Sequence, residues 1–214
     1  MTWALNHVED IGGLLASHAV LAAVPLLIGL LLAIPVGWLA HQQHWLRTPL
    51  VVGTGLLYTI PSLAMFIVMP LVLGTGILDP LNVVVALSIY TVALLVRTVA
   101  DGLDAVPAQA LDAATAMGIG TPRRFFTVEL PLAVPVIAAG LRVAAVSNVS
   151  IVSVAALLGI PQLGSLFTDG FQRNFIDPIV VGIIACLILA LVFDSLIGLF
   201  SRWLTPWLRP RSVT

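Results

Sequence analysis

Lysine is absent from the chain, and all nine of its basic residues are arginine. A Walker A phosphate loop needs a lysine at the β- and γ-phosphates, so this chain cannot hydrolyse ATP by that mechanism. Cysteine occurs once, as Cys186 inside an apolar run, which excludes an intrachain disulfide and a cysteine-rich metal site. Charge is scarce as well: 9% of the 214 residues are Asp, Glu or Arg, against roughly a quarter in an ordinary soluble domain. A formal net charge of -1 argues against a nucleic-acid binder. The first sixteen residues carry no Lys or Arg but include Glu9 and Asp10, unlike the basic start of a secretory signal, and are expected to be retained.

What the chain has in abundance is apolar surface, with 60% hydrophobic residues and a mean hydropathy of +1.12. A bilayer core takes about 20 mainly apolar residues per helix. Suitable runs lie at 19–40, 50–73, 81–99, 130–158 and 179–200, and predict an all-α polytopic membrane protein of five spans. The third is short and is extended through Thr98 and Val99, leaving Arg97 to snorkel at the interface. Ahead of the first span, Trp3, Leu5, Val8, Ile11 and Leu15 recur at helical spacing, so residues 1–18 are expected to form an amphipathic interfacial segment. Residues 19–205 would form the transmembrane domain and 206–214 a tail.

Arginine placement gives a direction. The loop with Arg47, the long loop with Arg97, Arg123 and Arg124, and the tail with Arg202, Arg209 and Arg211 share one side, while Arg173 falls on the other and Arg142 within the fourth span. The positive-inside rule then puts the N-terminus outside and the C-terminus in the cytoplasm. Trp38, Trp45, Trp203 and Trp207 fall near the cytoplasmic span ends, as an aromatic belt requires. Pro25, Pro35, Pro61, Pro70, Pro131 and Pro135 sit in or at the ends of spans, where interior prolines remove backbone hydrogen bonds.

The cytoplasmic loop 100–129 is the one long polar segment. Alanine-rich Ala108 to Met117 predicts a short helix stopped at Gly118, and Thr121 before Pro122 predicts the N-cap of a second. Asp112-Ala113-Ala114, then Gly118 after three residues, then Val128-Glu129-Leu130-Pro131 after nine more, resemble the coupling-loop signature of permeases of binding-protein-dependent ABC importers, with Asp for Glu at 112. The resemblance implies a five-helix type I ABC importer permease core whose coupling helix, through Asp112, Ala113, Ala114, Met117 and Gly118, docks on a separate ATPase. It also implies two ATP-binding subunits holding ATP and Mg, a second permease, identical or paralogous, and an extracytoplasmic substrate-binding protein, all at a bacterial inner membrane. No cofactor or catalytic residue is expected in this chain.

Tyr58-Thr59-Ile60-Pro61-Ser62-Leu63-Ala64, Leu94-Leu95-Val96-Arg97-Thr98 and Ala139-Gly140-Leu141-Arg142-Val143-Ala144 resemble the quaternary-amine branch of that family, which imports glycine betaine, choline and carnitine. Where relatives carry GAGGLG after the fourth span, this chain reads Gly159-Ile160-Pro161-Gln162-Leu163-Gly164.

Aromatic faces hold quaternary ammonium groups, so Tyr58 and Tyr90 are candidates for the solute path, with anchoring in the bundle as the other reading. Ser62, Ser147, Asn148 and Ser150 are further path candidates, while small hydroxyl residues also serve close helix packing. Arg142 and Asp194 lie at similar depth and are expected to pair, unless Asp194 pairs with Arg97. The four histidines, including His41 and His44 one turn apart, match no metal motif. The competing functions are a methionine or nitrate/sulfonate ABC permease and an ion-coupled secondary transporter, the latter disfavoured by the lack of an inverted repeat.

Overall fold

Small residues decide which helix faces meet. In the computed structural model, which describes residues 2–208, a 35-residue helix α2 (Val8–Gln42) follows a short α1 (Thr2–Asn6). One stripe of α2 is buried, formed by His18, Leu21, Ala22, Pro25, Leu26, Gly29, Ala33, Gly37 and Ala40 at helical spacing. It packs along α5 (Pro80–Asp104), the most enclosed of the long helices. A Cβ at Gly29 would lie 2.4 Å from Thr91 Cβ, and one at Gly37 would lie 2.6 Å from Val99 Cβ. Glycine alone lets the two backbones come this close, and dispersion over the seam replaces the hydrophobic drive that lipid does not supply.

The remaining order is α3 (His44–Tyr58), α4 (Ser62–Leu73), α6 (Ala108–Ala116), α7 (Thr121–Arg124), a π turn (Phe125–Glu129), α8 (Leu130–Val152), a 3-10 turn (Ser153–Leu158), α9 (Ser165–Gln172), α10 (Ile176–Leu204) and a closing 3-10 turn (Pro206–Leu208). Helix α8 leans on α5, where a Cβ at Gly140 would lie 2.4 Å from Thr98. Helix α10 packs on α8 and α9 and buries only Pro178, Gly182 and Leu189. Helix α3 has no fully buried side chain; one side of it rests on α2 and α5, and the rest of its surface is left for lipid or another chain.

Four helices are long and apolar enough to cross a membrane, and α3 with α4 makes a fifth when taken as one broken span. The second span expected at 50–73 is therefore not one rod: its halves meet at 101°. Pro61 carries no N–H and biases Ile60 away from helical geometry, so the helix ends at Tyr58 and restarts at Ser62. The expected boundary at 18/19 falls inside α2, because nothing between Val8 and Gln42 interrupts the helix. Trp3 of α1 sets its ring edge-on to Phe175 at 6.1 Å, before the start of α10. The fourth span tightens into a 3-10 turn from Ser153 and stops at Gly159, whose φ of +84° suits glycine. Arg209 and Arg211 of the expected tail lie outside the described residues.

Charges lace one end of the bundle. Arg47 of α3 reaches Asp104 and, at 3.0 Å, Asp101 on α5, and His41 Nδ1 of α2 lies 2.5 Å from Asp104 Oδ1. Arg97 pairs with Asp101 at 3.5 Å rather than with Asp194.

Replacing Gly29 or Gly37 by Leu should lower stability by about 1–3 kcal/mol through overpacking, read as a lower melting temperature of the purified chain. Gly55→Leu on the open face of α3, with nothing within 4 Å of its Cβ, should leave melting unchanged.

Candidate functional site

The loop expected to couple the chain to a motor is built around helix α6. Pro107 sets its start and Gly118 its end, at φ +73°. The Ile119 N–H bonds the Ala114 carbonyl at 3.1 Å and the Gly118 N–H bonds the Thr115 carbonyl at 2.9 Å, the paired bonds of a Schellman stop. Asp112, Ala113 and Met117 are exposed, Met117 at 70%. Ala114 is not available to a partner: it is 1% exposed, on the helix face it shares with Leu111, which packs against the core. The outward face is therefore Asp112, Ala113 and Met117, with Gly118 turning the chain.

The second loop helix does not stand alone. Gly120, not Thr121, takes the N-cap place, and α7 passes through the π turn directly into α8. Pro131 cannot donate to the Thr127 carbonyl, and the Leu130 N–H instead bonds the Phe125 carbonyl five residues back. That register brings Arg124 Nε within 2.7 Å of Glu129 Oε1, while Arg124 Nη1 donates to Thr115 Oγ1 of α6 at 3.1 Å. Arg124 thus ties α6 to the foot of α8. Sequence reading passed over this pair; the five-residue spacing of a cation and a carboxylate before Leu-Pro was its signal. Glu129 is 1% exposed, and its other oxygen has no partner among the described residues, nor has Trp38 Nε1.

The path candidates separate. Tyr58 and Tyr90 meet edge to face at 5.7 Å beside the break between α3 and α4, and Tyr58 Oη lies 2.9 Å from Ser147 Oγ. The Tyr90 hydroxyl donates to the Ile60 carbonyl at 2.5 Å, a group that the broken helix leaves unsatisfied, so Tyr90 supports the break. Asn148 is buried and donates to Thr91 Oγ1 at 3.1 Å and the Ala22 carbonyl at 3.4 Å, tying α8 to α5 and α2. Ser150 is exposed near α10, its carbonyl accepting from Ser153 Oγ at 2.6 Å, and Ser62 opens α4.

Arg142 and Asp194 pair as expected, Nε to Oδ1 and Nη2 to Oδ2 both at 2.6 Å, a fork-to-fork contact joining α8 to α10. The pair borders a cavity of about 550 Å³ with Pro135, Ala138, Gly198 and Ser201. No cluster of metal-ligating side chains occurs among the described residues.

Residues 26–209 match the family described as binding-protein-dependent transport system inner membrane component. The chain belongs to that family. As a member it is a multi-pass inner-membrane component of a transport system. It is 33% identical over 208 residues to the osmoprotectant import permease protein OsmW of Salmonella typhimurium, covering 94% of this chain and 97% of that one. It is 30% identical to the glycine betaine/carnitine/choline transport system permease protein OpuCD of Bacillus subtilis, over 88% of this chain and 82% of the other. The permease fold of the inward-facing MetNI methionine ABC transporter superposes with a TM-score of 0.84 at 17% identity, covering 94% and 98% of the two chains. All-helical family membership and this fold match the all-α permease core expected from sequence.

Asp194→Asn should lower the melting temperature by leaving Arg142 without its ion partner, and the exchanged pair Arg142→Asp with Asp194→Arg should restore part of the loss. Tyr90→Phe, which leaves the Ile60 carbonyl unpaired, should cost about 1–3 kcal/mol in a denaturation series.

Proposed function

We propose that this chain is the membrane permease of an ATP-driven osmoprotectant importer, carrying a quaternary amine such as glycine betaine or choline. The observation that carries the reading is near full-length identity of 33% to an osmoprotectant import permease, against 17% to the methionine transporter, which shares the fold alone. A methionine or nitrate/sulfonate cargo has no comparable support, and an ion-coupled mechanism leaves the exposed coupling face without a purpose.

The assembly contains two copies of an ATP-binding subunit, a second permease and an extracytoplasmic substrate-binding protein. ATP and Mg reside on the motor subunits, consistent with the absence of lysine here. The arginine excess puts the C-terminus and α6 in the cytoplasm and the N-terminus outside. The motor then presses on Asp112, Ala113 and Met117. Movement of α6 passes through Arg124, which holds Thr115 and Glu129 at once, into the π turn and along α8. A π turn is one register step away from an α-helix, so it is a suitable place for rotation to enter the span. Helix α8 carries Ser147 against Tyr58, and the gap between α3 and α8 is where this subunit contributes to the path. Weak aromatic contact suits a permeant cation, because tight capture belongs to the external binding protein.

In proteoliposomes holding all subunits, ATP should drive glycine betaine uptake that choline reduces and methionine does not. Uptake driven solely by an ion gradient would sink the reading. Met117→Asp should abolish ATP-dependent uptake while leaving the melting temperature of the permease unchanged, since that side chain touches solvent.

A further inference from the structure

In the turn after the fourth span Gln162 is fully buried, and so is His18 of α2 beneath it. His18 Nδ1 lies 2.9 Å from Gln162 Oε1, and Nε2 lies 2.9 Å from the Val149 carbonyl. The orientation of the Gln162 amide is set by two other groups. Its oxygen accepts the Gly164 N–H at 2.5 Å, and its nitrogen donates to the Ser153 carbonyl at 3.2 Å. Turning the amide over would set N–H against N–H on one side and oxygen against oxygen on the other. Both ring nitrogens of His18 therefore face acceptors. A neutral imidazole has one N–H to offer, and an imidazolium has two.

We infer that His18 is a buried proton-binding site that, as the imidazolium, clamps α2 to the Gly159–Gly164 turn and to the end of α8. Two features of the backbone build the site. The fourth span tightens at Ser153, so carbonyls of its last α-helical turn are open to a side-chain donor. Gly164 leaves room for the clamp, because a Cβ there would lie 2.3 Å from the Ser153 carbonyl oxygen and 2.8 Å from Gln162 Nε2.

Burial is the largest influence on the imidazole and opposes the charge, while the two bonds to oriented acceptors favour it. The two bonds of the imidazole go to the Gln162 amide oxygen and the Val149 carbonyl, and neither partner is charged. Glu9 and Asp10 lie two or more turns earlier on α2, and Tyr90 on α5 is bonded to the Ile60 carbonyl. Asp169 on α9 is paired with Arg173, and Arg142 on α8 is paired with Asp194 on α10. Asp177, which has an interaction of its own, and Cys186 complete the set on α10. The sign follows: protonation holds the turn closed, so the clamp is complete at lower pH and one bond is lost as pH rises. This inference stands apart from the solute and from the coupling loop.

The test is nitrogen NMR of the full chain in nanodiscs with labelled histidine, the His18 signal being assigned by its loss in His18→Gln. If that variant does not fold, a chain carrying His7→Gln, His41→Gln and His44→Gln leaves His18 as the single histidine. The expected result is two protonated ring nitrogens at the acid end of a series from about pH 5 to 8, giving way to a single N–H on raising the pH. Gln162→Leu removes one acceptor, so its His18 should show the neutral signature where the parent chain shows the doubly protonated one. A neutral ring throughout about pH 5–8, or a titration that ignores Gln162→Leu, would overturn the inference.

Discussion

A backbone carbonyl or N–H in an apolar bundle surrounded by lipid must find its partner within the protein, and each interruption of a helix here is built around that demand. The break between α3 and α4 leaves the Ile60 carbonyl open, and Tyr90 closes it. At the foot of α8, Pro131 removes a donor, and the chain shifts by one residue into a π turn. At its other end the tightening from Ser153 exposes carbonyls that His18 and Gln162 take up. The stop of α6 closes its own carbonyls through Ile119 and Gly118.

Between interruptions the helices are held by closeness. Gly29 and Gly37 on α2 and Gly140 on α8 bring both helices against α5 until a single methyl would overlap. Asn148 adds a polar rivet to the same three helices through Thr91 and the Ala22 carbonyl. Helices α3 and α10 lie outside this core and bury few or no residues. The bundle thus has a tight centre and outer helices that turn most of their surface away from it. Arg124 joins the loop to that centre, because one guanidinium holds α6 and the π turn together.

The residues that look most alike in an apolar helix carry different duties. Tyr58 is partly exposed beside Ser147, whereas Tyr90 is buried with its hydroxyl bound to backbone. Asn148 ties the core, while Ser150 faces outward toward α10. The Arg142–Asp194 fork holds α10 against α8 beside a cavity, where an unpaired charge would be costly.

Hydropathy, arginine spacing and the Asp112 to Pro131 pattern by themselves determined the class of protein and its apolar segments, and narrowed the partner of Asp194 to Arg142 or Arg97, between which the structure chose Arg142. These signals are local, or in the last case follow from depth along two helices. Tertiary structure alone decided that the second span breaks at Pro61 and that Ala114 turns inward. It also decided that Arg124 bridges to Glu129 and that His18 meets Gln162, 144 residues away in the chain. Each of these depends on which face of a helix its neighbours cover, and a run of uniformly apolar residues carries no periodic mark of that face.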